Sequence, residues 1–167
     1  MGEVAVDPAT FRAVLGRFCS GITVITALGP SGPVGLTCQS FSSLSLDPPL
    51  VLFSPARTST TWPRIRAVGR LCVNVLAEGH SALSTAMARS GSDKFAGVRW
   101  DASALGTPRL DGAVAWLDCV VEAEHDGGDH TIVVAAVRGL SAGPAARPLL
   151  YYLGRYATLA APGSLAG

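Results

Sequence analysis

Apolar positions along the chain change period several times, and each change marks an element. Phe11, Val14, Leu15 and Phe18 recur at helical spacing behind Asp7-Pro8. An N-cap carboxylate followed by a first-turn proline starts a helix, so the pattern predicts a core-facing helix that Gly21 ends. Ile22 to Ala27 is β-branched and reads as a strand, and the Gly-, Pro- and Ser-rich run from Gly29 to Pro33 as a hairpin loop. A second extended segment runs from Val34 to Leu46. Asp47-Pro48-Pro49 breaks it before a strand from Leu50 to Phe53. A helix from about Thr61 to Val68 stops at Gly69, and Leu71 to Leu76 is a short buried strand. His80 or Ser81 then caps a small helix that runs to Ala88, with Leu83 and Met87 on one side.

The C-terminal half alternates cleanly. Ala115, Leu117, Cys119, Val121 and Ala123 fall on one face, and Asp118, Glu122 and Glu124 on the other, as in a half-buried antiparallel strand. Asp126-Gly127-Gly128 is a tight turn, and Thr131 to Val137 returns as its partner. Leu149 to Leu153 is a last strand, and a tail starts near Ala157. With no repeat and no linker, residues 1–157 read as one domain and 158–167 as a flexible tail. Six or seven short strands, mostly antiparallel, with helices inserted between them, describe a mainly β protein folded as a closed or nearly closed barrel.

One stretch departs from ordinary strand chemistry. Ten of the twenty-five residues from Thr37 to Thr61 are Ser or Thr, threaded among Leu44, Leu46 and Leu50 to Phe53. Buried hydroxyls are costly without hydrogen-bond partners. The run ends at Ser59, Thr60 and Thr61, any of which can cap the helix holding Pro63. Arg57 and these hydroxyls at a helix start suit an anion, best a phosphate. Further on, Lys94 and Phe95 share a loop where a lysine is ordinarily solvated.

Composition adds the setting. Half the residues are hydrophobic (49%) and only 15% are charged, which is oily for a monomer, so a homodimer is expected. The formal net charge of +1, spread along the chain, argues against nucleic acid. No apolar run is long enough for a membrane span. Cys19, Cys38, Cys72 and Cys119 are far apart in apolar surroundings. They read as reduced core residues of a cytoplasmic protein, without metal-ligand spacing. The only histidines are His80, His125 and His130, and no nucleophile elbow organises a hydrolytic set. His130, at a strand start after Gly128-Asp129, is ordinarily a polar end group.

Several fragments occur in a familiar order. They are Gly21-Ile22-Thr23-Val24-Ile25-Thr26, Gly35-Leu36-Thr37-Cys38-Gln39-Ser40-Phe41, and Asp47-Pro48-Pro49-Leu50-Val51. Asp93-Lys94-Phe95-Ala96-Gly97, Gly128-Asp129-His130 and Gly154-Arg155-Tyr156 follow. From about Phe11 to Tyr156 the chain resembles the short-chain flavin reductases, NAD(P)H-dependent partners of two-component flavin monooxygenases. The resemblance implies an antiparallel split β-barrel of the FMN-binding, Greek-key type, dimeric, with flavin at the dimer interface. It implies that Thr37, Cys38, Gln39 and Ser40 line the flavin ring and ribityl chain. Ser54, Arg57, Ser59 and Thr60 would hold the phosphate, and Arg89, Lys94 and Phe95 would contact phosphate or the adenine half of FAD. His130 would face the nicotinamide as the catalytic group, and Tyr156 would close over the site. Gln39 departs from the small residue usual in the family. The implied reaction moves hydride from NADH, in preference to NADPH, to FAD or FMN, and reduced flavin passes to a separate monooxygenase. The competing reading is a flavin-binding electron carrier or sensor that retains its flavin. A pyridoxamine-phosphate-oxidase type of barrel ranks lower.

Overall fold

A computed structural model of the chain describes residues 6–91, 93–144 and 147–160. Its helices are α1 (Pro8–Leu15), α2 (Trp62–Val68) and α3 (Ser81–Ala88). The first strands are β1 (Ser20–Gly21), β2 (Thr23–Gly29), β3 (Gly32–Cys38), β4 (Ser42–Leu46), β5 (Pro49–Phe53) and β6 (Arg70–Val75). They are followed by β7 (Trp100–Ala102), β8 (Pro108–Leu110), β9 (Ala115–Gly127), β10 (His130–Ala142), β11 (Leu150–Tyr152) and β12 (Arg155–Ala157). Seven strands form one antiparallel sheet in the order β3-β2-β6-β9-β10-β5-β4. A small sheet β1-β11-β12 and the ribbon β7-β8 flank it.

The protein is thus mainly antiparallel β with few helices. The pairing leaves β3 and β4 as edges, so hydrogen bonds do not close the sheet. The edge strand β3 and β5, the neighbour of the other edge, nevertheless share one core. Leu36 of β3 and Val51 and Phe53 of β5 belong to the same buried cluster as Ile25, Leu71, Val73 and Val133. α2 fills the space between the ends. Trp62 and Ile65 are buried, and the Trp62 ring packs edge-on against Phe53 with centroids 5.5 Å apart. Its indole N–H donates to Glu124 at 3.0 Å. Gly69 ends the helix with a left-handed φ of 74° that a side chain would resist. Burying residues of this size contributes about 1.5–3 kcal/mol each.

β2 is buried on both faces because its period of two feeds two cores. Ile25 and Ala27 join the first, while Val24 packs with Ile22, Leu76, Met87, Leu110 and Leu149 in a second. This second core lies beneath α3 and the β7-β8 ribbon, and it carries a buried polar set. Asn74 donates to Val24 O and accepts the Leu110 N–H at 2.7 Å. Asp118 accepts from Thr107 Oγ1 and pairs with Arg109, both at 2.5 Å.

Several expectations change. Helix α1 starts as expected, with Asp7 Oδ2 accepting the Thr10 N–H at 2.8 Å, but it ends at Gly16, not Gly21. Its apolar stripe is not core-facing: Phe11, Val14, Leu15 and Phe18 are all more than half exposed. The extended segment from Val34 to Leu46 is two strands, because Gln39-Ser40-Phe41 turns the chain between β3 and β4. Asp118 is not on a solvent face but 2% exposed, since the unpredicted β7-β8 ribbon covers that side of β9. Glu124 is also partly buried, held by Trp62 and Arg66. Cys19 is exposed, whereas Cys38, Cys72 and Cys119 are buried. Burial, with Asp118 nearby, pushes the Cys119 thiol up to about 12. β12 extends to Ala157, residues 158–160 have no regular structure, and the rest of the expected tail lies outside the described residues.

Removing the Asp118 carboxylate would leave the Arg109 charge and the Thr107 hydroxyl without their acceptor. Asp118→Ala is expected to lower unfolding stability by about 3 kcal/mol, read by urea denaturation. A change below ~1 kcal/mol would mean that solvent compensates Arg109 fully.

Candidate active site

The β3–β4 turn, the loop after β5 and the start of α2 meet α3 and the β9–β10 turn around one cleft of about 570 Å³. That falls within the ~300–1,000 Å³ range of small-molecule and cofactor sites. Backbone pairing brings these segments together. Cys38, at the end of β3, is followed at once by Gln39 and Ser40, and β5 delivers Ser54 opposite them. Ser40 Oγ accepts the Ser54 N–H at 2.8 Å and donates to Ser54 O at 3.1 Å. Its single proton is thereby used, so the Cys38 thiol, 3.2 Å away, is the donor to Ser40 Oγ. This two-point bridge joins the end of an edge strand to β5, where the ladder itself does not close.

Of the residues expected from sequence, Thr37, Cys38, Gln39 and Ser40 line one wall. Ser54, Ser59 and Thr60 line the next, and Arg89, Lys94, His130 and Tyr156 complete the rim. Ser59 caps α2: its Oγ accepts the N–H groups of Trp62 at 3.1 Å and Thr61 at 3.3 Å. With both lone pairs engaged, the hydroxyl proton is what Ser59 can offer a ligand. Thr37 Oγ1 donates to Ser84 O at 2.6 Å, and Tyr156 OH donates to the fully buried Ser84 hydroxyl at 3.0 Å. Ser84 and Thr58 also line the cleft and were not singled out from sequence, as does Thr61, which was expected only as a helix cap. Their signal was a polar side chain on a short helix or just ahead of one, which alone is commonplace.

Two expected residues lie elsewhere. The Arg57 side chain does not line the cleft but reaches the β9–β10 turn, where it pairs with Asp126 and donates to Gly128 O. Phe95 lines a separate cavity of about 140 Å³ beside Gly35 and Arg64. Lys94 borders both cavities, and it is not a solvated loop lysine. Its Nζ donates to Gly35 O at 3.1 Å, Thr61 Oγ1 at 3.1 Å and Met87 O at 3.0 Å. All three ammonium protons are spent on β3, the α2 cap and α3. Burial, and then the neighbouring Arg64, hold its pKa below the usual lysine range.

His130 is less than half exposed (44% of its side chain), and its Nδ1 lies 2.7 Å from Asp129 Oδ1. That hydrogen bond holds the Asp129 carboxyl below the ordinary carboxylate range. With Nδ1 engaged, Nε2 is the ring nitrogen left for a ligand. Among the described residues, no group of three or more His, Cys, Asp or Glu is arranged to hold a metal ion.

The fold and site are those of an open antiparallel sheet with a hydroxyl-walled cleft beside the end of β3 and one histidine among its lining residues, an arrangement whose chemistry suits an anionic, nucleotide-like ligand. Residues 15–160 match the family model described as a flavin reductase like domain, and the chain belongs to that family. The reductase subunit HsaB of a flavin-dependent monooxygenase from Mycobacterium tuberculosis is 53% identical over 90% of this chain and 82% of its own length. A crystal structure of a nitrilotriacetate monooxygenase component B homologue from Mycobacterium thermoresistibile superposes with a TM-score of 0.88 at 50% identity, covering 91% of this chain and 86% of that one. The NADH:FAD oxidoreductase SgcE6 of Streptomyces globisporus, solved with NAD and FAD fragments, gives a TM-score of 0.88 at 35% identity over 96% of this chain and 99% of that one.

The cleft's lining fits a flavin. Ile22, Leu36 and Met87 supply apolar surface, while Ser54, Thr58, Ser59 and Thr60 supply hydroxyls along one wall. Apolar body and polar end match a ring system with a phosphorylated tail.

Because Lys94 ties three walls of this cleft together, Lys94→Met should loosen all three. The expected outcome is a stability loss of about 2 kcal/mol in denaturant titration. Flavin binding, followed by fluorescence quenching, should weaken about tenfold. Unchanged stability and affinity would show the tie to be dispensable.

Proposed function

We propose that the chain is an NAD(P)H:flavin oxidoreductase that reduces FAD or FMN and delivers the product to a separate flavin-dependent monooxygenase. The observation that carries this reading is the convergence of Thr37–Ser40, Ser54, Ser59, Thr60 and His130 on one cleft, from segments far apart in a chain of this family. Bound flavin supplies the hydride acceptor, and the reduced nicotinamide supplies the hydride. What remains for the protein is to hold the two together and to exclude misalignment.

In this reading Thr37, Cys38, Gln39 and Ser40 hold the ring and ribityl chain. The Ser40–Ser54 bridge fixes the spacing of that wall against Ser59 and Thr60, which take the phosphate. Arg89, exposed at the end of α3, meets the ligand's remaining negative charge. His130 orients the nicotinamide side through Nε2, with Asp129 setting the ring, and Tyr156 closes the cleft from the Ser84 side. Lys94 shapes the cleft without spare protons for a phosphate. The dinucleotide is NADH in preference to NADPH. The open seven-stranded sheet belongs to a split barrel of the FMN-binding type, whose gap is the cleft. The buried, unpaired Cys38, Cys72 and Cys119 favour a reducing, cytoplasmic setting.

The exposed stripe of α1 favours a homodimer. Phe11, Val14, Leu15 and Phe18 are exposed, as is Leu153, whose N–H donates to Gly16 O at the helix end at 2.8 Å, and such a surface is covered in an assembled protein. Sedimentation should give twice the chain mass, and Phe18→Asp should shift the protein toward monomer. A monomeric wild type would end the dimer proposal.

Function is tested in a cuvette. NADH oxidation should rise with added free FAD or FMN, and near-zero turnover on added flavin would favour a carrier that retains its flavin. In an anaerobic experiment His130→Ala should slow reduction of bound flavin about ten- to a thousandfold, ~1.4–4 kcal/mol. Flavin affinity should change much less. Loss of affinity with unchanged reduction would remove His130 from the nicotinamide side.

A further inference from the structure

Arg57 sits between Ala56 and Thr58, both of which line the cleft, yet its side chain leaves in another direction. Nε donates to Gly128 O at 2.7 Å, and Nη2 pairs with the Asp126 carboxylate. The same Asp126 oxygen accepts the Gly128 N–H at 3.2 Å. The backbone reinforces the contact. Arg57 N–H donates to Asp129 O at 2.9 Å, Thr131 N–H donates to Pro55 O at 3.0 Å, and Ala56 bridges to His130 as an antiparallel pair. The turn that presents His130 is therefore fastened by main-chain bonds on one side and by a guanidinium fork on the other. The fork closes over the weakest point, Gly127-Gly128, where Gly128 has a left-handed φ of 75° and little stiffness of its own. Asp129 lies inside this span, and its carboxylate in turn fixes the His130 ring. The Arg57 hydrogen bond also holds the Asp126 carboxyl below its ordinary range.

We propose that Arg57, with Asp126, is a positioning residue for the nicotinamide side of the reaction: it latches the His130 turn to the cleft loop and does not bind flavin phosphate. This rests on the flavin reductase reading above. A planar fork that meets a carboxylate and a carbonyl together cannot be replaced by a point charge, so Lys at this position restores only part of the latch. Loosening the turn misplaces His130 without touching the hydroxyl wall, so hydride delivery suffers while flavin affinity does not.

The test uses the full chain with Arg57→Ala, Arg57→Lys, Asp126→Ala and the double variant Arg57→Ala/Asp126→Ala. Arg138→Ala serves as control, because Arg138 pairs with Glu122 on the same hairpin. Stopped-flow reduction of bound flavin by NADH should fall about tenfold in Arg57→Ala, with Arg57→Lys intermediate and Arg138→Ala as wild type. Flavin dissociation constants should stay within about twofold. The double variant should be no worse than the poorer single one, as for two halves of one contact. Weaker flavin binding with unchanged reduction at saturating flavin would overturn the proposal and make Arg57 a phosphate ligand. Wild-type reduction rates in Arg57→Ala, or additive losses in the double variant, would overturn it as well. A second readout is independent of turnover: ligand-free ring ¹H–¹⁵N signals of His130 should shift or broaden in Arg57→Ala and not in Arg138→Ala. If the wild type failed to reduce flavin, the functional reading would fall, while an unmoved His130 signal would sink the latch itself.

Discussion

The structure depends on joining two sheet edges that do not hydrogen-bond to each other. β3 and β4 end the seven-stranded order, yet residues near both ends are buried in one cluster. An apolar core of this kind pulls the sheet into a curl, and the edges must then be held apart or together by something other than a ladder. Here the inner side is filled by Trp62 and Ile65 of α2, and the rim is pinned by Ser40 against the Ser54 backbone. The unclosed seam becomes a cleft, and its walls are the chain segments that turn back at the seam.

That origin explains the cleft's chemistry. Residues at a seam have backbone groups left over from the sheet, and hydroxyl side chains satisfy them while still presenting polar atoms outward. Ser40 and Ser59 do this, one bonding the Ser54 backbone and one capping α2, while the Thr61 hydroxyl accepts from the Lys94 side chain. The hydroxyl richness of residues 37–61 is structural first, and the proposed ligand site draws on the same groups. A protein that brings together two reactive partners, and needs no strong acid or base, can be made from such a seam.

The proposed division between binding wall and reacting rim has a physical basis. The hydroxyl wall belongs to β3, β5 and the start of α2, which are tied into the first core. His130 comes from the end of the β9–β10 hairpin, which is fastened by its own strand pairing, by Asp126 and by contacts with the Pro55–Arg57 strip. In the proposed reading, ligand grip and group alignment rest on different interactions in the same small fold.

Local rules made much of this legible in advance. The Asp7-Pro8 start, the Gly69 stop and the Gly29–Gly32 hairpin follow from caps and turn residues that act over three or four positions; the turn expected at Asp126-Gly127-Gly128 falls instead at Gly128-Asp129, because β9 stays paired through Gly127. The ordered fragments around Thr37, Lys94 and His130 were enough to gather the family and many of the residues that line the cleft, though not to exclude Phe95 from it. Tertiary structure decided what short-range signals do not carry. The β7-β8 ribbon turned Asp118 from an apparent surface carboxylate into a buried partner of Arg109. The end of α1 at Gly16 left its apolar stripe outside the core, and the direction of two long side chains sent Arg57 to Asp126 and Lys94 to three carbonyl and hydroxyl oxygens. Periodicity tells which face a residue is on; only the packing of the opposite element tells what that face meets.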